Sequence, residues 1–312
     1  MLIAGVECGG TTFKVSIAGY DKVSKKLDRL ETTIIDTTTP PETINKVVEW
    51  LQQKQEEHKK GDPIVSIGIA SFGPVDLDKS SPTYGYITTT PKPNWHYADV
   101  VGGIKKAFPE VPIAFDTDVN APAVAELASG HHGNVKSLAY ITAGTGIGVG
   151  LSLDLRPVHG MMHPEGGHIP VPLAPQDVKD GFTQGTCPYH GCCLEGLANG
   201  IAIAKRKNIS FGDIKNLEDA DPVWDTVAHY YAVLCTNLFL IGSVEVIVLG
   251  GGIFQRKILY EKVRNATVKL LNGYVSKVSA DTIKGQIKDS EFGADAGIMG
   301  AFYIAINNIN KD

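Results

Sequence analysis

The sequence lacks a long apolar run and an excess of basic residues. No stretch of the 312 residues approaches the roughly 20 consecutive apolar residues that a membrane-spanning helix needs. Lysine and arginine together number 29 against 34 aspartate and glutamate residues, and the net charge of -5 indicates no basic face for nucleic acid. We therefore expect neither a membrane nor a nucleic acid among the partners of this protein.

Cysteine is also scarce, and its distribution argues against a secreted disulfide framework. Three of the five cysteines, Cys187, Cys192 and Cys193, fall in one short segment. The chain opens on the apolar, strand-like residues 2–6, without a basic leader or a cleavable apolar helix. These features predict a soluble, cytoplasmic protein.

Cys187, His190 and Cys193 have the spacing of metal ligands. They follow one another at intervals of three residues, so one tight loop can present two thiolates and an imidazole to a single tetrahedral zinc ion. His168 can supply the fourth ligand. Such a Cys2His2 set leaves no coordination position open, which predicts a structural zinc rather than a catalytic one. The alternative is that the cysteines are ordinary buried thiols and that His190 is a surface residue.

The length and a repeated pattern predict two domains. A chain of 312 residues exceeds the usual size of a single hydrophobic core. Both halves begin with two short strands joined by a Gly/Thr-rich turn, and both continue with helices and apolar strands. This repeat predicts an α/β protein with two similar lobes and a cleft between them. We expect residues 1–117 plus 294–312 to form the first lobe and residues 118–293 the second.

The periodicity of apolar residues predicts the individual elements. Strands are expected at residues 2–6, 13–18, 29–35, 64–70, 112–116, 137–142, 147–153 and 244–249. Helices are expected at residues 40–58, 97–108, 120–129, 195–206, 222–241, 256–271 and 294–308.

Three glycine-rich turns follow apolar strands. Glycine lets backbone N–H groups approach an anion closely, and threonine hydroxyls add donors. None of the turns has the spacing of a P-loop, and residues 144–150 miss the dinucleotide pattern G-x-G-x-x-G at Val149. A single turn of this kind is typical of an ordinary hairpin, but three at matching places favour a nucleoside triphosphate held from both lobes. The turn residues are Gly9, Gly10, Thr11, Thr12, Gly144, Thr145, Gly146, Gly250, Gly251 and Gly252.

Asp116 and Asp118 lie where a predicted strand gives way to a predicted helix. Ligands bind at the carboxyl ends of parallel strands in α/β sheets. Phosphoryl transfer to an alcohol needs one aspartate near the hydroxyl to accept its proton, and Asp118 is the candidate for this base. Alternatively, Asp118 or Asn120 only caps the helix, with Pro122 in its first turn. A cap also orients its carboxylate, so Asp118 could do both.

Together these segments resemble the ROK family of sugar kinases and sugar-responsive repressors, within the hexokinase–actin–Hsp70 fold group. The match runs nearly end to end and is carried by segments 9–11, 118–121, 142–148, 165–168, 187–195, 248–252 and 297–301. Segments 68–76, 90–95 and 187–190 look most like bacterial ATP-dependent fructokinases. The resemblance implies two ribonuclease-H-like lobes that flank an interlobe cleft.

The resemblance also implies a role for each site. Asp118 would be the catalytic base of a kinase that transfers a phosphoryl group from ATP to a hexose, most simply to the 6-hydroxyl of fructose. His168 would bind zinc with one ring nitrogen and face the sugar with the other. Gly9–Thr12 and Gly144–Gly146 would bind the phosphates and Gly250–Gly252 the adenosine, with Mg²⁺ as a cofactor and a homodimer as the assembly. The sugar contacts would be Thr117, Asp118, Glu165, His168 and Glu195.

Three positions depart from the family pattern. Glu7 stands where the family usually has an aspartate near Mg²⁺, which leaves the placement of that metal open. Many relatives have three cysteines in the metal loop, whereas here His190 replaces a thiolate and Cys192 is predicted to be no ligand. Thr117 replaces a common asparagine and could alter the choice of hexose.

Other functions and substrates are open at the level of sequence. A sugar-responsive regulator would carry an N-terminal helix-turn-helix, and a strand that begins at Leu2 leaves no room for one. A sugar-binding protein without activity is disfavoured because Asp118 and the glycine turns are both present. Among kinases, mannose, glucose or an N-acetylated hexose are alternative substrates, and the aromatic residues of segment 81–96 are expected to influence that choice.

Overall fold

The computed structural model of this chain describes residues 1–58, 63–154 and 156–310. They divide into two compact units, the first made of Met1–Ser129, Arg156–His163 and Ala294–Asp312, and the second of Gly130–Leu155 and Pro164–Gly293. The predicted lobes differ from these units, because residues 118–129 and 156–163 group with the first unit. Across the described ranges, no helix combines the length and the apolar character needed to span a bilayer.

The strands within the described residues are β1 (Leu2–Cys8), β2 (Thr12–Asp21), β3 (Lys26–Asp36), β4 (Ile64–Ser71), β5 (Tyr86–Ile87), β6 (Ala98–Asp99), β7 (Ile113–Thr117), β8 (Ser137–Ala143), β9 (Ile147–Leu153), β10 (Arg156–Pro157), β11 (Val246–Gly250) and β12 (Ile287–Asp289). The helices are α1 (Pro40–His58), α2 (Val100–Lys105), α3 (Asn120–Ala128), α4 (Pro175–Asp180), α5 (Leu194–Ala198), α6 (Gly200–Lys207), α7 (Val223–Asn237), α8 (Ile258–Leu271), α9 (Ile283–Gln286) and α10 (Ala296–Ile309).

The first unit is built on a sheet with the strand order β3-β2-β1-β4-β7. Strands β1 and β2 form an antiparallel hairpin that closes at Cys8 and Phe13. Strand β4 runs parallel to β1, and β7 runs parallel to β4. The carboxyl ends of β1, β4 and β7 therefore meet at one edge of this sheet, which is the edge that carries the first glycine turn and Asp118.

Helices cover both faces of the first sheet. On one face, Ile44, Val47 and Leu51 of α1 are buried, as the spacing of apolar residues predicts. On the other face, α10 buries Phe302 against β1 and packs Ala301 against Val124 of α3. The contact between α3 and α10 explains why residues 118–129 belong to the first unit rather than to the second.

The second unit repeats this arrangement. Its strands follow the order β9-β8-β11-β12, with an antiparallel β8–β9 hairpin and with β11 parallel to both β8 and β12. The core on this sheet includes the large side chains of Trp224, Tyr230, Tyr231 and Phe254. The prediction of two similar α/β units, each opened by a hairpin with a glycine turn, is confirmed.

Some predicted helices are shorter than expected, for identifiable local reasons. The helix predicted at 97–108 is limited to α2, because Tyr97 has a φ of 56° and the Asp99 side chain caps the helix by accepting the N–H of Gly102. The helix predicted at 195–206 is divided at Asn199, which is extended and whose side chain accepts the N–H of Ala202. The helix predicted to reach residue 241 changes into a π-helical turn at Leu238–Gly242 and ends at Ser243, where φ is 48°.

The substitution Gly68→Ala tests the close approach of β4 to α10. A Cβ atom at residue 68 would lie 1.8 Å from the carbonyl oxygen of Ala301, so the helix would have to move away from the sheet. We expect the free energy of unfolding to fall by about 3 kcal/mol, as overpacking a core does. Urea unfolding followed by circular dichroism measures this loss. In the control Gly285→Ala the new Cβ meets nothing within 4 Å, and equal stability of the two variants would contradict the packing argument.

Candidate active site

Four side chains of the second unit converge on one point. Cys187 Sγ lies 3.7 Å from Nδ1 of both His168 and His190, and Cys193 Sγ lies 3.6 Å from Nδ1 of His168. The four ligand atoms all lie within 4.8 Å of one another. These are the three side chains that the sequence spacing singled out and the fourth, His168, that was added to them, so the structure brings the predicted set together.

The backbone around this Cys/His cluster turns tightly. Cys187 and Gly191 exchange backbone hydrogen bonds, with the Gly191 N–H donating to the Cys187 carbonyl at 2.9 Å and the Cys187 N–H returning at 3.3 Å. Gly191 has a φ of 59°, a conformation that favours glycine. Gly196 is also required, because a Cβ there would lie 1.9 Å from the Gly191 carbonyl oxygen. The turn places Cys187 and Cys193 side by side, while His168 comes from the 3₁₀ turn Gly166–His168.

The cluster fits a tetrahedral zinc ion. With Zn–S bonds of about 2.3 Å and Zn–N bonds of about 2.05 Å, the S···N edge of a tetrahedron is about 3.6 Å. The S···N distances of 3.6 and 3.7 Å match that edge. Burial raises the pKa of the Cys193 thiol to about 11, and the nearby Cys187 thiol adds to the effect. A divalent cation reverses this tendency, because it binds the thiolate. Cys192 lies outside the set, with its Sγ donating to the Thr183 carbonyl at 3.0 Å.

Two carboxylates flank the cluster. Glu195 follows Cys193 by two residues, and its Oε2 accepts the backbone N–H of Ile147 at 2.8 Å. Glu165 keeps contact with solvent, yet the surrounding protein desolvates it. This desolvation, with the negative charge of Glu195, raises the pKa of Glu165 to about 7. Both carboxylates are acceptors, which suits a ligand rich in hydroxyl donors.

The glycine turn between β8 and β9 is held by the segment that follows the Cys/His cluster. The carbonyl of Gly144 accepts the N–H of Gly200 at 2.8 Å, and the carbonyl of Thr145 accepts from the Asn199 side chain at 2.7 Å. A Cβ on Gly146 would lie 2.8 Å from Glu195 Oε2. The carbonyls of Gly144 and Thr145 are therefore occupied by donors from Asn199 and Gly200.

The turn after β11 lies at the same sheet edge as the turn after β8. Gly250 pairs with Thr142 at the carboxyl ends of these parallel strands. Gly251 has a φ of 86°, and a Cβ there would lie 2.4 Å from the carbonyl oxygen of Ala143. No other residue type fits this contact without moving the backbone. In the second unit the structure thus brings two predicted glycine turns together at the edge where ligands bind in α/β sheets.

The first unit carries the third glycine turn and Asp118. The turn between β1 and β2 closes through the N–H of Gly9, which donates to the Thr12 carbonyl at 3.0 Å. The Gly9 carbonyl accepts the hydroxyl of Thr37 at 2.8 Å. Asp118 follows β7 directly, and its N–H donates to the carbonyl of Ser71 at the end of β4 at 2.8 Å. Asp118 is therefore fixed at the carboxyl edge of the sheet by its backbone.

The residue at the N-cap position of α3 is Val119, not Asp118 or Asn120, which the alternative had placed there. The hydroxyl of Thr117 accepts the N–H of Asn120 at 2.9 Å, and the residue preceding the helix, Val119, makes no side-chain cap. The physical reason is that β7 ends with the buried Thr117 side chain directed at the first turn of the helix. Thr117, predicted to contact the sugar, thus has its hydroxyl engaged as an acceptor.

Sequence patterns did not reveal the partner of Asp116. This carboxylate is buried, its Oδ1 accepts the N–H of Thr117, and its Oδ2 lies 2.8 Å from His159 Nε2. The hydrogen bond to Asp116 raises the pKa of His159. The two residues are 43 positions apart and belong to no periodic pattern, so only an excess of histidines in segment 159–168 hinted at such a role.

Glu7 differs from an ordinary surface glutamate. Its carboxylate is largely enclosed, and its Oε2 lies 3.6 Å from Lys14 Nζ. Burial raises the pKa of Glu7, while the neighbouring Lys14 ammonium opposes the shift. A cation at this position would restore the charged form of the carboxylate. The chemistry of Glu7 therefore fits a hard metal ion, although its neighbour Lys14 competes for the same oxygen.

Comparison with known proteins agrees with this architecture. The solved structures include a ROK hexokinase from Thermus thermophilus, which is 22% identical, is covered over 100% of both chains and has a TM-score of 0.76. Another is a ROK family glucokinase from Streptomyces griseus with glucose and AMPPNP, at 20% identity over 98% of this chain and 100% of that one, with a TM-score of 0.70. The protein thus has the predicted fold of two ribonuclease-H-like units, as in the hexokinase and actin group.

The sequence comparison identifies the family. The model of the ROK family matches residues 3–308. A putative fructokinase of Bacillus subtilis is 38% identical over 306 residues, which cover 97% of this chain and 95% of that protein. A fructokinase of Zymomonas mobilis is 39% identical over 306 residues, covering 98% and 97%. The chain belongs to the ROK family, and the predicted resemblance is confirmed.

A titration of Glu165 tests the electrostatics of the two carboxylates. Because its pKa is about 7 in the folded protein against an ordinary 4.5, the stabilising contribution of Glu165 is complete below the ordinary value and is lost as the pH rises through about 7. Carboxyl-detected NMR should find one glutamate with a midpoint near 7 that is absent in Glu165→Gln. In Glu195→Gln the midpoint should move down, since one cause of the shift is removed. The exposed residue Glu261 supplies the control, because Glu261→Gln should leave the Glu165 midpoint unchanged. A Glu165 midpoint in the ordinary range, or one that Glu195→Gln alters no more than Glu261→Gln does, would contradict this account.

Proposed function

We propose that this protein is an ATP-dependent hexose kinase that phosphorylates fructose on its 6-hydroxyl. The observation that carries the proposal is the 2.8 Å hydrogen bond from the Ile147 N–H to Glu195, because it attaches a hydroxyl-accepting carboxylate to a glycine turn suited to phosphate. A kinase needs these two recognition chemistries on one rigid framework. Curated relatives that are 34–40% identical and bear the name fructokinase support fructose as the hexose.

The sugar would be recognised by the second unit. The hydroxyl groups of a hexose donate to carboxylate oxygens, and Glu165 and Glu195 supply them. His168 has its Nδ1 toward the thiols at 3.6 and 3.7 Å, which leaves Nε2 on the opposite side of the ring. A metal on Nδ1 would fix the tautomer, so Nε2 would carry the proton and donate to a sugar oxygen.

The nucleotide would be held by backbone amides. The N–H groups of the turns at residues 9–12 and 144–146 suit the phosphates, and the turn at residues 250–252 would line the adenosine, as the resemblance to the ROK family implies. Mg²⁺, when bound with ATP, would neutralise phosphate charge, and Glu7 is the residue that would assist in holding it.

Asp118 would be the catalytic base. It would accept the proton of the attacking hydroxyl as the bond to phosphorus forms, and its backbone hydrogen bond to Ser71 would hold it in position. Most of the rate enhancement would come from positioning and from charge stabilisation rather than from covalent chemistry. A homodimer and a cytoplasmic location stay predictions that accompany this proposal.

The choice of hexose can be tested directly. A coupled assay of ADP release with ATP and fructose, mannose, glucose or N-acetylated hexoses would rank the substrates. We expect fructose to have the highest kcat/KM. A clear preference for glucose or mannose would retain the kinase proposal and remove its substrate, whereas the absence of turnover with every hexose would remove the kinase proposal itself.

The substitution Asp118→Asn tests the base. Loss of a general base removes about two to four powers of ten in rate, so kcat should fall by that amount while fructose binding and stability persist. The matched control is Asp116→Asn, two residues away, which removes the carboxylate paired with His159. Rapid-quench measurement of a single turnover separates chemistry from binding. If Asp116→Asn loses the chemical step and Asp118→Asn keeps it, the roles of the two aspartates are reversed.

We further propose that the Cys/His cluster binds one structural zinc ion. Protein purified without added metal should contain about one zinc ion per chain, as measured by inductively coupled plasma mass spectrometry. Cys187→Ser should lose that zinc and lower the melting temperature, because metal-binding free energy becomes folding free energy. Cys192→Ser is the control, since Cys192 is a neighbouring cysteine outside the ligand set. Zinc-free wild-type protein of full stability would show that the cluster is only a group of packed side chains.

A further inference from the structure

The second unit contains a cavity that includes none of the residues assigned above to sugar, nucleotide or zinc. Its volume is about 450 Å³, which is within the range of small-ligand sites. It is lined by α4 and the residues after it, by the C-terminal turn of α6 and by the start of α7. Three cationic and three acidic side chains face it, so the balance between them decides what it can bind.

Arg206 and Asp177 form a buried ion pair in the wall of this cavity. Arg206 Nε and Nη2 donate to the two Asp177 oxygens at 2.7 and 2.6 Å, and the side chains are only 8% and 2% exposed. The Tyr230 hydroxyl adds a third hydrogen bond to Asp177 at 2.6 Å. The Phe182 ring lies 4.2 Å from the centre of the guanidinium and holds its plane. The charge and the acceptor capacity of Asp177 are thus used by groups of the protein itself.

The other carboxylates of the cavity also have donors. Asp221 accepts Lys207 Nζ at 2.7 Å and the Val223 N–H at 2.9 Å. Asp180 accepts the Gln176 side-chain amide at 2.8 Å. Each acid in the wall is therefore engaged, and so is the cation Lys207.

The groups with unused capacity are donors. Arg206 Nη1 is buried and has no hydrogen-bond partner among the residues that the structure describes. Because Nε and one hydrogen of Nη2 face Asp177, the guanidinium has three N–H bonds left, and two of them point outward from the edge that Nη1 and Nη2 form. Lys205, the third cation of the wall, donates to the Gly185 carbonyl at a long distance of 3.4 Å, and its Nζ lies 5.9 Å from the centre of the Phe182 ring, so no carboxylate of the wall is recorded as its partner among the described residues. An unmade hydrogen bond of a buried guanidinium is costly, which favours an acceptor at this edge.

We propose that this cavity binds a phosphate group, carried by inorganic phosphate or by a phosphomonoester. Two phosphate oxygens would accept from the free edge of Arg206, and the third would accept from Lys205. A carboxylate carries one negative charge and two oxygens, so Lys205 would have to share an oxygen with the guanidinium edge, whereas phosphate offers a third oxygen and more negative charge. The chemistry therefore favours phosphate over carboxylate. The site goes beyond the proposed kinase reaction, because no catalytic residue lies in its wall.

Calorimetric titration of the full chain with inorganic phosphate tests the site, in a buffer free of other oxyanions and with AMPPNP and Mg²⁺ saturating the nucleotide site. We expect binding in the millimolar range or tighter. Lys205→Ala should weaken it about fivefold, the effect of losing one exposed ion pair. Lys207→Ala is the matched control, because Lys207 lies two residues further along the same last turn of α6 and carries the same charge. Its ammonium is already paired with Asp221, so this variant should change the affinity less than twofold.

A double variant keeps the proposal falsifiable if single changes at Arg206 fail to fold. Asp177→Asn with Arg206→Gln removes both charges together, so neither is left buried alone; its circular dichroism should match the wild type, and phosphate binding should be lost. Equal affinities in wild type, Lys205→Ala and the double variant would overturn the assignment. No heat with phosphate up to tens of millimolar would also overturn it, as would acetate that binds as tightly as phosphate.

Discussion

The organisation of the candidate site depends on the hydrogen bond between the Ile147 N–H and the Glu195 carboxylate. Glu195 stands two residues after a cysteine of the Cys/His cluster, and Ile147 is the first residue after the glycine turn of the second sheet. The bond thus joins the segment that carries the cluster and its neighbouring carboxylate to a glycine turn that lies 48 residues earlier in the chain. Asn199 and Gly200, which bind the carbonyls of the same turn, reinforce this connection.

Through this connection, the cluster restricts the conformation of the loop that precedes Glu195. A loop of 183–193 with no regular secondary structure would place Glu195 poorly on its own, because loop backbones have high conformational entropy. The mutual hydrogen bonds of Cys187 and Gly191, and the convergence of two thiols and two imidazoles, restrict that freedom. The position of Glu195 is therefore decided in part by Cys187 and Gly191, to which no contact with sugar or nucleotide is assigned.

The sequence allowed most of the fold to be predicted, and the reasons are visible in particular elements. The hairpins and the apolar strands β4 and β11 have strong periodicity, and their bounds agree with prediction within a few residues. The predictions were wrong where one side chain competes with helix propensity, as at Asp99 and Asn199, which cap shorter helices than the apolar pattern suggests. Within the candidate site, the spacing of Cys187, His190 and Cys193 was sufficient to place them together. The pairing of Asp116 with His159 and the use of Thr117 as a cap depend on three-dimensional proximity, which no periodic signal carries.

Helix α10 has a consequence for the way the chain is made. It supplies Phe302 and Ala301 to the first unit and approaches β4 so closely that Gly68 is required, yet it is formed by residues 296–309. A ribosome delivers the β1–β4 region long before this helix emerges. During translation, the face of the first sheet that α10 covers therefore stays exposed while every strand of the second unit is synthesised. In this interval a chaperone would have an apolar surface to protect.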